Sequence, residues 1–192
     1  MTKIIEKIKQ EVLAINEQYK NQAEDGYDYW NNHVKYVVKE SLLLAEKYGA
    51  DKEVVEIAAM LHDIALMKKV GTKADHNING VKIAKEILDK YEIGNSKKET
   101  ILGCILHHRS SKYAENIEEL CVADADIIAH FDNLPMIFFK SFTWGKMTLK
   151  DREKLIAGFN NDYEDLSDKT KQQFKPRFEN IMQVIFGESI CL

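Results

Sequence analysis

The chain has 192 residues, 45% of them hydrophobic and 30% charged, with a formal net charge of −4 and a pI near 5.9. That length and apolar content suffice to bury one core and argue against general disorder, and the balance leaves no basic footprint for nucleic acid or an anionic membrane. The three cysteines, Cys104, Cys121 and Cys191, are odd in number, widely spaced and without a CxxC, which argues against a disulfide scaffold or a structural zinc site and for a reducing cytoplasm.

The N-terminal stretch Met1 to Gln10 is charged throughout and has no apolar region of a signal peptide, and no run approaches about 18 uninterrupted apolar residues, so no membrane span is expected. From Thr2 to Asn21 the residues Ile4, Ile5, Ile8, Val12, Ile15 and Tyr19 recur at helical spacing, and Asp25-Gly26 punctuates the chain. A second helix is predicted from about Asp28 to Tyr48, with His33 near its start and Gly49 as its C-cap. Asp51 caps a third, which ends near His62-Asp63; Lys68 to Ala74 reads as a loop, and Asp75 caps a fourth helix from His76 to about Lys90. After the Gly94-Asn95-Ser96 break, a fifth ends at His107-His108-Arg109, and Asn116 precedes a sixth through Leu120, Asp124, Asp126 and Phe131. Pro135 opens an aromatic-rich piece with Phe138, Phe139, Phe142 and Trp144, read as core or as the face of a homodimer. Two more helices, about Leu149 to Tyr163 and Ser167 to Phe186, complete an all-α single domain over 1–192 with its core at 28–132.

Chemistry concentrates around Leu61-His62-Asp63-Ile64, which ends the apolar run Ile57-Ala58-Ala59-Met60-Leu61. A carboxylate desolvated there needs compensation, and a divalent cation, bound by imidazole nitrogen and carboxylate oxygen together, provides it. Five of the six histidines (His33, His62, His76, His107, His108 and His130) sit near predicted helix ends, from which side chains can converge on one cavity. Asp126 lies among small and apolar residues and is expected to face inward.

The segments Asn32-His33-Val34, Leu61-His62-Asp63-Ile64 and Ala125-Asp126-Ile127-Ile128 resemble the HD superfamily of metal-dependent phosphohydrolases over about Trp30 to His130. Asp75-His76 through Gly80 and Leu106-His107-His108 resemble further segments of several subfamilies. The resemblance implies an HD-domain helical bundle with additional N- and C-terminal helices, in which His33, His62, Asp63 and Asp126 bind one divalent metal (Mn, Fe, Co, Ni, Zn or Mg). Asp124 is the rival for the last ligand. Ala125-Asp126-Ile127-Ile128 fits the family pattern better, and the two aspartates stand about 200° apart on a helix. A second metal implicates His76 with His107 or His108, Asp63 bridging. Asp63, Asp124 and His108 are the candidate catalytic residues, the latter two as proton shuttles, and Arg109, His76 and His130 the candidate substrate contacts, with Arg109 gripping phosphate and Lys112 a weaker alternative. The implied reaction is hydrolysis of a small phosphate ester, nucleotides included, by a metal-activated water; a non-catalytic nucleotide-binding module and a di-iron oxygenase on the same fold are the alternatives. The chain departs from the His-Asp-x-Gly-Lys signature, having Ile64-Ala65-Leu66 after the pair with Lys68 and Lys69 off register, so a cyclic-dinucleotide substrate is not expected.

Overall fold

Helix α3, Lys52–Leu61, is buried at every position from Val54 onward except Glu56. A helix that is apolar nearly all round must be enclosed by others. In the computed structural model, which describes residues 2–23 and 26–187, it is enclosed by α1 (Thr2–Gln22), α2 (Lys35–Tyr48), α6 (Asn95–His107) and α7 (Ile117–Asp132). The described residues form ten α-helices and no strand. Asp25 and Cys191, which the sequence reading used, lie outside them.

The predicted starts and stops hold where local chemistry decides them. Asp51 caps α3 by accepting from the backbone of Glu53 and Val54, Asn116 caps α7 by accepting from Glu119, and Gly49 ends α2 at φ 79°, a left-handed conformation open to glycine. Three places differ. The second helix does not run regularly from Asp28. Residues Trp30–Val34 form a π-helical turn that includes His33, and Asn16, buried on α1, fixes that turn by accepting from Trp30 N (3.0 Å) and donating to Asp28 Oδ1 (3.0 Å). After His62-Asp63 the chain forms a short helix, α4 (Ile64–Met67), before the loop begins. Asp75 does not cap α5 (His76–Leu88); its Oδ1 accepts from Thr72 N at 2.6 Å and Thr72 Oγ1 at 2.7 Å, closing the loop onto itself. Gly71 belongs to the same knot: its φ is 76°, and a Cβ there would stand 2.1 Å from Asn79 Nδ2.

The aromatic-rich piece is α8 (Leu134–Thr143), with Pro135 in its first turn, where a missing N–H costs nothing. Helices α9 (Arg152–Asp165) and α10 (Asp168–Phe186) pack over Phe131 of α7, which meets Phe159, Phe174 and Phe178 at ring separations of 5.1–5.6 Å. Among the described residues no helix is long and apolar enough to cross a membrane.

Candidate metal centre

The side chains that converge come from five places along the chain. His33 stands in the π-turn, His62 and Asp63 at the break between α3 and α4, His76 at the first position of α5, His108 just past α6, and Asp126 midway along α7. The break matters, because Asp63 adopts φ −101°, ψ 17° instead of continuing the helix, and its carboxylate comes beside the imidazole of His62. All are buried except Asp126, which is nearly so, its side chain 17% exposed.

They form two groups that share Asp63. In the first, His33 Nε2 lies 2.9 Å from Asp126 Oδ1, 3.1 Å from His62 Nε2 and 3.7 Å from Asp63 Oδ2, and His62 Nε2 lies 3.6 Å from both carboxylates. In the second, Asp63 Oδ1 lies 3.3 Å from His76 Nε2 and 3.9 Å from His108 Nε2, and those nitrogens stand 2.9 Å apart. Ligand atoms each about 2.1 Å from one ion are separated by roughly 3.0 Å at right angles and roughly 3.4 Å in a tetrahedron, so both groups have the spacing of a coordination sphere.

The hydrogen bonds behind the rings decide which nitrogen is offered. His62 Nδ1 lies 2.7 Å from Ala59 O, His76 Nδ1 2.8 Å from Lys73 O and His108 Nδ1 2.7 Å from Ile105 O. A carbonyl oxygen only accepts, so each Nδ1 carries the proton and each neutral ring presents a lone pair at Nε2. Burial, reinforced by His62, pushes His108 down to about 4, so it faces His76 unprotonated. Two lone pairs 2.9 Å apart repel unless a cation sits between them. Asp126 Oδ1 is buried, and its close neighbour is His33 Nε2 at 2.9 Å, a nitrogen that donates to it when protonated and faces it as a second ligand when not. Burial by itself raises the carboxyls of Asp63 and Asp126, but whatever proton the surrounding imidazoles take up outweighs it and holds both below the ordinary range, as carboxylates. The residues present thus fit a divalent cation: His33, His62 and Asp63, then His33, Asp126 and His130, then Asp63, His76 and His108 each bring three ligand atoms within 4.8 Å of one another, with the mixed N/O donors that transition ions accept.

Three of the residues expected here are elsewhere. His107 points the other way from His108: its Nδ1 lies 2.8 Å from Glu119 Oε2, because successive residues at a helix end turn about 100° apart. Asp124 is fully buried on the far side of α7, accepting from Ser167 N at 2.8 Å and Ser167 Oγ at 2.5 Å, so it cannot shuttle protons at this cluster. Arg109 donates to Ala74 O at 2.7 Å and lines an open groove of about 490 Å³ with Asn77, Lys112 and Tyr113, where Lys112 pairs with Asp165. These positions give a first expectation: His108→Ala loses one equivalent of bound metal, whereas His107→Ala keeps its full content, as read by elemental analysis. Equal loss in both overturns the division.

His130 lies against the first group. Its ring stacks on His33 with centroids 5.8 Å apart, and its Nδ1 stands 3.0 Å from Asp162 Oδ2. Burial lowers its pKa, yet Asp162 overrides this and raises it. Asp162, on α9, sits in no motif that sequence reasoning could use. Two further residues missed in the sequence are coupled to the cluster by charge. Asp63 helps to push the Tyr29 hydroxyl up, after burial, and the charge of Lys140 on α8 interacts with Asp63 and Asp126. A signal for Lys140 existed: it is the only charged residue between Leu134 and Gly145.

An all-helical bundle that gathers a His, a His-Asp pair and a later Asp around one point defines the class of the protein, and comparison with known proteins agrees with the geometry. The HD domain model matches residues 31–130, more than half of the chain. The chain belongs to the HD domain family. An uncharacterized protein of Clostridium beijerinckii (strain ATCC 51743 / NCIMB 8052) is 36% identical over 77 residues, a match spanning 40% of this chain and 48% of that protein. Two crystal structures share the fold at 20% identity. One is an HD-superfamily hydrolase from Bacillus thuringiensis, with a TM-score of 0.63 over 94% of this chain and 93% of the other. The other is a predicted HD superfamily hydrolase from an uncultured Thermotogales bacterium, with a TM-score of 0.56 over 88% and 92%.

Proposed function

We propose that the chain is a metal-dependent phosphohydrolase of small phosphate esters, nucleotides among them, holding one divalent ion by His33, His62, Asp63 and Asp126 and a second by Asp63, His76 and His108. The observation that carries this reading is Asp63 itself, whose two oxygens face two separate sets of imidazole nitrogens. When bound, divalent cations supply Lewis acidity, making water a better nucleophile at neutral pH and drawing charge from a phosphoryl oxygen.

The protein's own groups do the rest. The carbonyls of Ala59, Lys73 and Ile105 hold three imidazoles in orientation, so the site does not reorganise during reaction. Asp162 accepts from His130 Nδ1 and raises the pKa of that ring, so the imidazole beside His33 takes up a second proton more readily, which suits it to donate to a departing alkoxide. Phosphoryl transfer needs positioning and charge stabilisation more than a covalent nucleophile, and among the described residues the cluster is built of His and Asp side chains.

Protein purified without chelator or added metal is expected to carry up to two equivalents of a divalent ion and, loaded with it, to release phosphate from some member of a panel of nucleotides and phosphate esters. Metal-loaded protein that releases none, while a control hydrolase does, sinks the reading.

A further inference from the structure

The rings of His62, His76 and His108 are each held by a carbonyl of their own turn. His33 is oriented differently. Its ring meets His62, Asp63, Asp126 and His130, all inside the cluster, and among the described residues no carbonyl fixes its Nδ1. The direction of this ring therefore depends on its backbone, which is the π-turn Trp30–Val34. A π-turn winds in one residue more than an α-helix takes, here with Lys35 N bonded back to Trp30 O. Losing that residue from the turn rotates what precedes α2 by about 100°. Such turns are rare, so this one persists because its surroundings hold it.

Each of the three residues ahead of His33 is bonded by a side chain from outside the turn. Trp30 N donates to Asn16 Oδ1 at 3.0 Å. Asn31 N and Nδ2 donate to the two oxygens of Asp28, both at 2.9 Å, and Asn16 Nδ2 donates to Asp28 Oδ1 at 3.0 Å. Asn32 O accepts from Asn133 Nδ2 at 2.9 Å. Asn16 is 3% exposed, and both ends of its amide are committed to this turn. Among the described residues the buried positions of α1 are Ile8, Val12 and Asn16, one stripe four residues apart, and the last alone is polar. Burying an amide there is unfavourable for packing, where leucine would serve, unless its bonds are needed. Asn133 stands just past α7, the helix that carries Asp126. Both asparagines lie outside residues 31–130, the stretch that matches the family.

We propose that Asn16, with Asn133 as a second clamp, is a positioning residue for the first metal site: it keeps Trp30–Val34 in its π-turn and so keeps His33 Nε2 against Asp126, which makes the N-terminal helix part of that site. This rests on the metal-binding part of the proposed function, and the experiment separates the two. Metal-free protein is titrated with cobalt(II), whose visible absorption reports the ligand set and the dissociation constant of each ion. Hydrolysis of the ester panel is followed in parallel. Asn16→Leu, Asn133→Ala, His33→Ala and the double variant Asn16→Leu/His33→Ala are compared with the parent. Ile8→Ala, at a fully buried position two turns earlier on α1, is the control for lost stability. Removing a group that orients a metal ligand weakens binding roughly 10- to 100-fold, and Asn16→Leu is expected to weaken the first ion by that factor and to change its absorption. Asn133→Ala weakens it in the same direction, and in both variants the ion of Asp63, His76 and His108 keeps its affinity within about twofold. In the double variant the Asn16 change adds no more than about twofold to the loss in His33→Ala, because it acts through that ring. Ile8→Ala lowers Tm and leaves both cobalt affinities at the parent's values. A parental first ion in Asn16→Leu, a loss that adds in full to that of His33→Ala, or the same loss in Ile8→Ala overturns the proposal. A parental first ion in Asn133→Ala removes Asn133 from the arrangement and, should Asn16→Leu not fold, overturns the whole. If the parent loses its first ion on Asn16→Leu yet hydrolyses no ester, the positioning stands and the hydrolase reading falls. Parent protein that binds no cobalt removes both.

Discussion

Asp63→Ala is expected to abolish hydrolysis, by on the order of 10³-fold or more, and to lower bound metal to one equivalent or less. The reasoning is geometric. Asp63 is the only side chain common to both groups, its Oδ2 turned to His33 and His62 and its Oδ1 to His76 and His108. Without it the second group retains two nitrogens, too few to hold an ion firmly, and the first retains His33, His62 and Asp126. No neighbour can substitute, because Asp124 points away and His107 is occupied by Glu119. The change also removes a buried carboxylate from among imidazoles, so the helical content read by circular dichroism should persist and the loss should lie in metal and turnover. A variant that keeps both its metal content and its activity would contradict the arrangement proposed here.

The largest effect on stability is expected at Asp124. Its carboxylate ties the middle of α7 to the first turn of α10, accepting from both the backbone and the hydroxyl of Ser167, and that hydroxyl in turn accepts from Thr170 N at 3.4 Å. Asp124→Ala leaves a buried N–H and a hydroxyl without their acceptor and loosens the cap of α10, at a cost of about 2–4 kcal/mol, or roughly 4–16 °C in Tm. Asp124→Asn keeps a carbonyl for Ser167 N and can donate to the Ser167 oxygen, so it should cost less than about 1 kcal/mol. The pH dependence has a definite sign. Burial raises the Asp124 carboxyl above its unfolded value, against the bonds from Ser167 and Thr170. The folded state therefore holds its proton longer, and ionisation subtracts stability as pH rises through that interval, a slope that Asp124→Asn removes. Metal content and hydrolysis should be unchanged in both variants. Lost hydrolysis with an unchanged Tm in Asp124→Ala would instead restore the proton-shuttle role expected from sequence.

What the sequence disclosed follows from how local each signal is. The apolar run before His62 and the small residues around Asp126 announce burial by themselves, and the structure brings His33, His62, Asp63 and Asp126 together, with His33 Nε2 2.9 Å from Asp126. The caps Asp51 and Asn116 were equally legible, since a capping side chain bonds within its own first turn. The pair His107-His108 was not separable, because one step around a helix end exchanges the cluster for Glu119 and only the tertiary contact of α6 with α7 decides between them. The π-turn at Trp30–Val34 was hidden for the same reason: it is fixed by Asn16, fourteen residues before Trp30. Arg109 and Lys140 show the limit for cations, which reach far from their backbones. Composition pointed to the one beside the histidine pair, which is bonded to Ala74 O, whereas the charge of the lysine isolated among aromatics interacts with Asp63 and Asp126.

Three rings of the cluster are latched in one manner: His62 to Ala59, His76 to Lys73 and His108 to Ile105, each to the carbonyl three residues earlier. A latch that short closes as soon as its own turn forms and asks nothing of the remainder of the chain. Half of the cage is therefore cut before the helices meet, and an arriving ion finds rings already aimed. The pace of loading is then set by the route inward and by the shedding of the ion's hydration shell, with little rearrangement of the polypeptide left to wait for.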